Sequence, residues 1–198
     1  MGKIFYIMGK SASGKDSIYE YLLAREDLGL KRIILYTTRP IRDGEEPGRE
    51  YYFADDRQYQ QLKREGRIIE SRSYYTVHGI WTYFTADDGQ VDLSKHHYLG
   101  IGTLESYEKI KHYYGTENIC PIYVEVEDGE RLQRALIRER KQKEPKYAEM
   151  CRRFVADCED FSEEKILAAG IGSRFINDDR QTCLAEIEKY VKDMLYCS

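Results

Sequence analysis

The sequence predicts an α/β fold: a three-layer α/β/α sandwich on a parallel core sheet, with a small mixed-β insertion and a helical lid. Three observations predict it. Short apolar runs alternate with longer amphipathic stretches, as strands do when crossover helices join them. A G-x-x-x-x-G-K motif follows the first apolar run, between strand and helix signals. An arginine- and glycine-rich segment follows the second run and leads into three short strand-like stretches.

Ile4 to Met8 reads as a buried strand, and Ile18, Tyr21 and Leu22 then fall at helical spacing. A second strand is expected at 31–36, followed by a turn-rich stretch at 39–48. Short strands at 51–53, 67–75 and 80–85, with a helix at 57–65, make up the insertion. Buried strands return at 98–101 and 119–125. Charged helices at 129–143 and 148–161 flank Pro145, and Phe175 and Ile176 form a last strand before a helix at 182–195. The expected division is a core of 1–36, 87–129 and 162–198, an acceptor-binding insertion at 37–86, and a lid at 130–161. In such sheets ligands gather at the carboxyl ends of the strands.

At 198 residues the chain is large enough to bury a core without disulfides or metals. A net charge of −4 provides no global basic field, so neither a nucleic-acid polymer nor a membrane is expected as partner. The opening MGKIFYIMGK is too short in its apolar run for a signal peptide, and no run approaches the roughly 20 apolar residues of a membrane span. Five cysteines (120, 151, 158, 183 and 197) without a C-x-x-C pair read as reduced thiols, which makes a soluble, cytoplasmic protein the expectation. The 18 tyrosines are spread over many elements and read as amphipathic packing, and His96 and His97 have no ligand spacing.

Gly9, Lys10, Ser11, Ala12, Ser13, Gly14, Lys15, Asp16 and Ser17 form a P-loop, a cradle for the phosphates of ATP. Glycine is needed because successive backbone N–H groups wrap the phosphates, and the helix N-terminus behind them adds its dipole. Lys15 supplies a mobile charge that can follow a transferring phosphoryl group. Asp16 stands where a Ser or Thr hydroxyl usually meets Mg²⁺; a carboxylate is a hard ligand for that ion, and Ser17, about 100° further round the helix, is a substitute hydroxyl.

Arg39 and Arg42, three apart and held near Pro40 and Gly44, can present planar forks to a phosphate dianion, with the Tyr51 hydroxyl beside them. The stretch from Thr37-Thr38-Arg39 through Arg42, Gly44-Glu45, Gly48 and Tyr51 to Phe53 resembles the guanylate kinase signature T-T-R-x-x-R-x-G-E-x-x-G-x-x-Y-x-F. Glu70, Arg153-Phe-Val-Ala and Asn177-Asp178-Asp179 extend the resemblance over nearly the whole chain.

This resemblance implies a nucleoside monophosphate kinase using ATP and Mg²⁺, with Thr38, Arg39, Arg42, Tyr51, Glu70 and Thr82 on the acceptor side. Glu70 would accept hydrogen bonds from guanine's ring N–H and amino group. Asn177 resembles an adenine-side contact. Lid arginines would neutralise charge in the transition state: Arg153 on the second helix, and Arg138 or Arg140 on the first, because these flank a position that ungapped alignment gives to Glu139. Most of the remaining lid charges read as a solvated, ion-paired surface.

Some positions depart from the family pattern. Leu35 replaces a phosphate-binding serine, and the Y-G-[ST]-[ST] segment has its nearest counterpart in 79–83, around Trp81. Gly100 and Gly102 replace two aspartates, and Asp16 is read as a relocated acidic group for the metal. Three functions follow: phosphorylation of GMP to GDP, phosphorylation of another nucleotide or a sugar phosphate, or a non-catalytic protein-binding module. The intact cradle and the arginines on both sides of the reaction favour catalysis.

Overall fold

The computed structural model describes residues 1–76 and 79–196; Cys197 lies outside them. The chain runs β1 (Ile4–Met8), α1 (Lys15–Leu23), β2 (Leu30–Arg32), β3 (Tyr36–Thr37), β4 (Tyr52–Phe53), α2 (Asp56–Arg64), β5 (Ile68–Thr76) and β6 (Gly79–Ala86). It continues through β7 (His97–Gly102), α3 (Leu104–Tyr114), β8 (Ile119–Glu125), α4 (Asp128–Arg140), α5 (Tyr147–Asp160), α6 (Glu163–Ala168), β9 (Arg174–Ile176) and α7 (Arg180–Tyr196).

β1 is the centre of the molecule because every one of its residues is apolar or aromatic and both its faces are covered. Phe5 and Ile7 point into one core with Ile18 and Leu22 of α1 and Ile187 and Val191 of α7. Ile4, Tyr6 and Met8 point into the other with Leu104, Tyr107 and Ile110 of α3 and Ile166 of α6. Each such fully buried aliphatic or aromatic side chain contributes roughly 1.5–3 kcal/mol. The core sheet, ordered β2-β7-β1-β8-β9, is parallel throughout, as the alternating pattern requires. It delivers the ends of β1, β7 and β8 to one edge.

A second sheet, ordered β4-β3-β6-β5, spans the insertion and has a small core of Tyr59, Phe84 and Ala86. The expected single strand at 31–36 is divided between the two sheets. The Ile33 N–H still bonds Leu99 O, but at Ile34 the Gln90 side chain takes over, accepting from the backbone N–H at 2.8 Å and donating to the carbonyl at 3.2 Å. That satisfied break lets the chain leave one sheet and enter the other. Two helices were not anticipated. α3 starts on a capping box of Thr103 and Ser106, and α6 on Ser162, whose hydroxyl accepts from Lys165 N–H.

Tyr6 explains Gly100 and Gly102. Its ring lies across β7, and a Cβ added at Gly100 would come within 2.7 Å of that ring. One added at Gly102 would come within 2.3 Å of Tyr6 Oη and 2.4 Å of Ser106 Oγ. The Tyr6 hydroxyl donates to Ser106 Oγ at 2.8 Å, and burial pushes its pKa up to about 12. Gly100→Ala should therefore lower stability by about 1–3 kcal/mol through overpacking. In a Tyr6→Leu background that penalty should fall by more than half, which urea denaturation of the four variants measures.

Candidate active site

The P-loop joins β1 to α1 in a shape that its own side chains could not adopt at random. Gly14, at the N-terminus of α1, has φ 87°, and a Cβ there would sit 2.5 Å from Asn177 Nδ2. A Cβ at Gly9 would lie 2.4 Å from Val124 O. Ala12 has φ 64°, the one positive φ outside glycine among the described residues, a strained conformation held in a loop that has to turn its amides outward. Asn177 braces this turn from β9, donating to Ser13 O at 2.7 Å while its own N–H bonds Glu125 O. Ser13 Oγ is buried without a hydrogen-bond partner, an unsatisfied group inside the cradle.

Lys15 Nζ lies 3.7 Å from Asp16 Oδ2, and the Asp16 side chain is 79 % exposed on the first turn of α1. Ser17 Oγ donates to Gly14 O, leaving its lone pairs available. Ahead of them, the leading edge of the loop is tied to the lid. Lys10 pairs with Asp128 at 3.2 Å, and Ser11 N–H donates to Asp157 Oδ2 at 2.7 Å.

Arg131 joins these anchors and corrects the expectation of a solvated lid surface. It is 1 % exposed, stacks over Phe154 at 4.2 Å, and donates to Asp128, Asp157 and Ser11 O. Burial works against the Asp128 charge, but Arg131 and Lys10 outweigh it and hold its carboxyl below the usual range. Arg134 and Arg152, by contrast, make the exposed ion pairs expected of them. The cleft between α4, α5 and the P-loop is lined by Ser11, Arg131, Arg138, Glu149 and Arg153, among others, and Arg140 is not among its lining residues. Arg153 is exposed and paired with Glu149 at 2.8 Å.

The insertion sheet carries most of the residues expected on the acceptor side. Arg39 is 3 % exposed, clamped by both Glu45 oxygens at 2.7 and 3.0 Å, with its guanidinium over Tyr51 at 5.5 Å. Those hydrogen bonds hold Glu45 below its usual pKa, while Arg42 is exposed and gives its backbone N–H to the same carboxylate. Glu70 and Arg72 share one face of β5, opposite Thr85 and Tyr83 of β6, and Tyr83 packs edge-on against Tyr51 at 5.6 Å. Burial pushes the Glu70 carboxyl up, offset in part by Arg72 and by the Thr85 hydroxyl that bonds it at 3.0 Å. Thr82 does not join this group. Its hydroxyl bonds Ser73 on the other face, and its N–H donates to Thr38 Oγ1, so both threonines knit β3, β5 and β6 together.

Arg72 and Tyr83 were not singled out in the sequence, although alternation from Glu70 along β5 and across to β6 puts them on this face. His97 is structural, its Nδ1 accepting from Lys3 N–H. No helix of the described residues is long and apolar enough to cross a membrane.

Comparison with known proteins agrees with this geometry. A family model described as guanylate kinase matches residues 1–168. The chain is 27 % identical over 196 residues to a guanylate kinase of Porphyromonas gingivalis, covering 98 % of this chain and 99 % of that one. It is 28 % identical over 193 residues to one from Bacteroides fragilis, with 98 % and 90 % covered. A match to the Bdellovibrio bacteriovorus guanylate kinase is 36 % identical over 74 residues, 37 % of this chain and 40 % of that protein. The crystal structure of guanylate kinase from Anaplasma phagocytophilum superposes with a TM-score of 0.66 at 18 % identity, over 96 % of this chain and 85 % of that one, a likeness of fold.

Asn177→Ala leaves a buried carbonyl without its donor. It should cost about 1–3 kcal/mol and loosen the loop, raising the KM for the triphosphate while the acceptor KM stays within twofold. Thermal denaturation and steady-state kinetics check both parts.

Proposed function

The chain belongs to the guanylate kinase family, and from that premise we propose that it transfers the γ-phosphoryl group of ATP to GMP, giving ADP and GDP. One observation carries the reading. A braced glycine-rich loop follows β1, and the buried arginine–carboxylate face of the second sheet meets the end of the adjacent β7 through Arg72 and Thr103.

The acceptor phosphate oxygen is already anionic, so neither a protein nucleophile nor a general base is needed, and positioning with charge neutralisation suffices. The P-loop amides and Lys15 hold the donor phosphates. Arg39, held in place by Glu45, and Arg42 with the Tyr51 hydroxyl hold the acceptor phosphate. Glu70 reads the base. Arg138 and Arg153, which line the cleft between α4, α5 and the P-loop, would neutralise the transferring group on closure of the lid. Arg138 is preferred to Arg140 because it lines that cleft together with Ser11 and Arg153.

The donor set fits Mg²⁺ arriving with ATP: Asp16 offers an exposed hard oxygen beside the cradle and Ser17 a hydroxyl one residue on, neither engaged with a second cation beyond Lys15. When bound, the ion would offset charge on the phosphates, and Asp16 would orient its water shell. The four described cysteines are free thiols, in keeping with a reducing, cytoplasmic compartment.

A coupled ADP-release assay over GMP, dGMP, AMP, CMP, UMP and ribose phosphates tests the proposal, with turnover on GMP expected. Turnover with none of them, or only with another acceptor, would refute it. In the same assay Arg138→Ala should lower kcat by roughly 10²-fold or more, as loss of a transition-state donor does, and Arg140→Ala by less than about fivefold. The pH profile gives a separate check. Glu70 must be ionised to accept from guanine, so kcat/KM for GMP should fall as pH drops, with a midpoint above the ordinary 4.5 of a glutamate. Glu70→Gln should remove that limb.

A further inference from the structure

A buried carboxylate and guanidinium ordinarily settle into a two-pronged pair. Glu70 and Arg72 do not. Arg72 Nε lies 3.2 Å from Glu70 Oε2, yet the two are misaligned, and each is a buried atom without a hydrogen-bond partner. The Glu70 side chain is 0 % exposed and that of Arg72 13 %. Arg72 Nη1 reaches Thr103 Oγ1 only at 3.4 Å. The guanidinium therefore stands at the joint between insertion and core with donors to spare, a costly arrangement unless an acceptor arrives.

The place where it stands selects that acceptor. Alternation along β5 puts Arg72 on the same strip as Glu70, opposite Tyr83, which packs on Tyr51 next to the phosphate-binding Arg39. A 6-oxopurine offers two N–H donors and one carbonyl acceptor along its pairing edge. Glu70 answers the two donors and leaves O6 unmatched. A guanidinium is the side chain best suited to a purine O6, and it would face adenine's 6-amino group donor to donor. On the core side, Tyr6 occupies the space over Gly100 and Gly102, so no carboxylate can enter there to neutralise Arg72.

We propose that Arg72 is a specificity-determining residue that donates to the 6-carbonyl oxygen of the bound base. This rests on GMP being the acceptor and says how its base is distinguished. The alternative, a counter-ion that merely keeps Glu70 charged, makes a different prediction, because it is indifferent to the atom at position 6.

The test compares GMP with 6-thioguanosine monophosphate, which keeps both N–H donors and exchanges O6 for a weak acceptor, in wild type, Arg72→Met and Arg72→Lys. Arg72→Met should lower kcat/KM for GMP by roughly 10- to 100-fold and for the thio analogue far less, so the wild-type preference for oxygen collapses. Arg72→Lys keeps the charge but not the fork and should recover only part of the preference; it also serves if the Met variant proves unfolded by thermal denaturation. Equal losses on both substrates in Arg72→Met, with the oxygen preference intact, or full activity on both substrates in Arg72→Lys without any oxygen preference, would overturn the proposal and leave Arg72 a counter-ion. A wild-type enzyme inactive on GMP would instead overturn the acceptor assignment, and this inference with it.

Discussion

The structure depends on holding a tightly turned glycine-bearing loop in one conformation at the end of a fully buried strand. A loop with a left-handed alanine would relax to a commoner conformation unless its surroundings held it. Here the force comes from several sides: Ala12 in a left-handed conformation, Gly9 and Gly14 with no room for a Cβ, and Asn177 gripping Ser13 O from the far edge of the sheet. β1 itself cannot shift to relieve this strain, because Phe5 and Ile7 are locked into one core and Ile4, Tyr6 and Met8 into the other. The rigidity of the sheet thereby becomes the preorganisation of the site.

The lid and the insertion each carry charge, and each keeps it neutralised internally until substrates arrive. Arg39 is held by Glu45 and Arg153 by Glu149, while Arg131 is enclosed by Asp128 and Asp157. These pairs differ in burial and therefore in consequence. The Arg153 pair is largely exposed, so solvent screens it and little free energy holds the arginine in place. Arg131 is dry, and its pairing is architecture: it fixes the lid base against Ser11 while the outer arginines remain free to move.

Much of this was legible in the sequence, for a physical reason. The glycine spacing of the cradle, the arginine pair near Pro40, and Asn177 after the last strand are local constraints, and local constraints leave local marks. The core sheet was legible through its apolar runs. What escaped was set by contacts between distant segments. The stretch at 31–36 is uniformly strand-like, and only Gln90, more than fifty positions away, divides it. Arg131 looks like its neighbours on α4 and differs only in facing Asp157. Thr82 is read from sequence as an acceptor-side residue; in the fold its hydroxyl bonds Ser73, and Tyr83, its neighbour on β6, pairs in register with Arg72, a cross-strand placement set by distant contacts.

The pair of glycines on β7 shows how a single aromatic ring propagates through a site. Seen alone, Gly100 and Gly102 are absent carboxylates, and their loss invites a search for acid relocated elsewhere, such as Asp16. Seen with Tyr6, they are the clearance that a ring requires, since the same ring occupies the volume of both missing Cβ atoms. These explanations act on different sides of the reaction. Asp16 lies on α1, exposed beside Lys15, whereas Tyr6 lies within the field of Glu70 and Arg72 on the insertion. Close to Tyr6, Arg72 and Glu70 form an ion pair at 3.2 Å whose facing atoms, Nε and Oε2, are both left without a hydrogen bond. One face of β5 thus carries an acceptor and a donor side by side, both with hydrogen-bonding capacity left over.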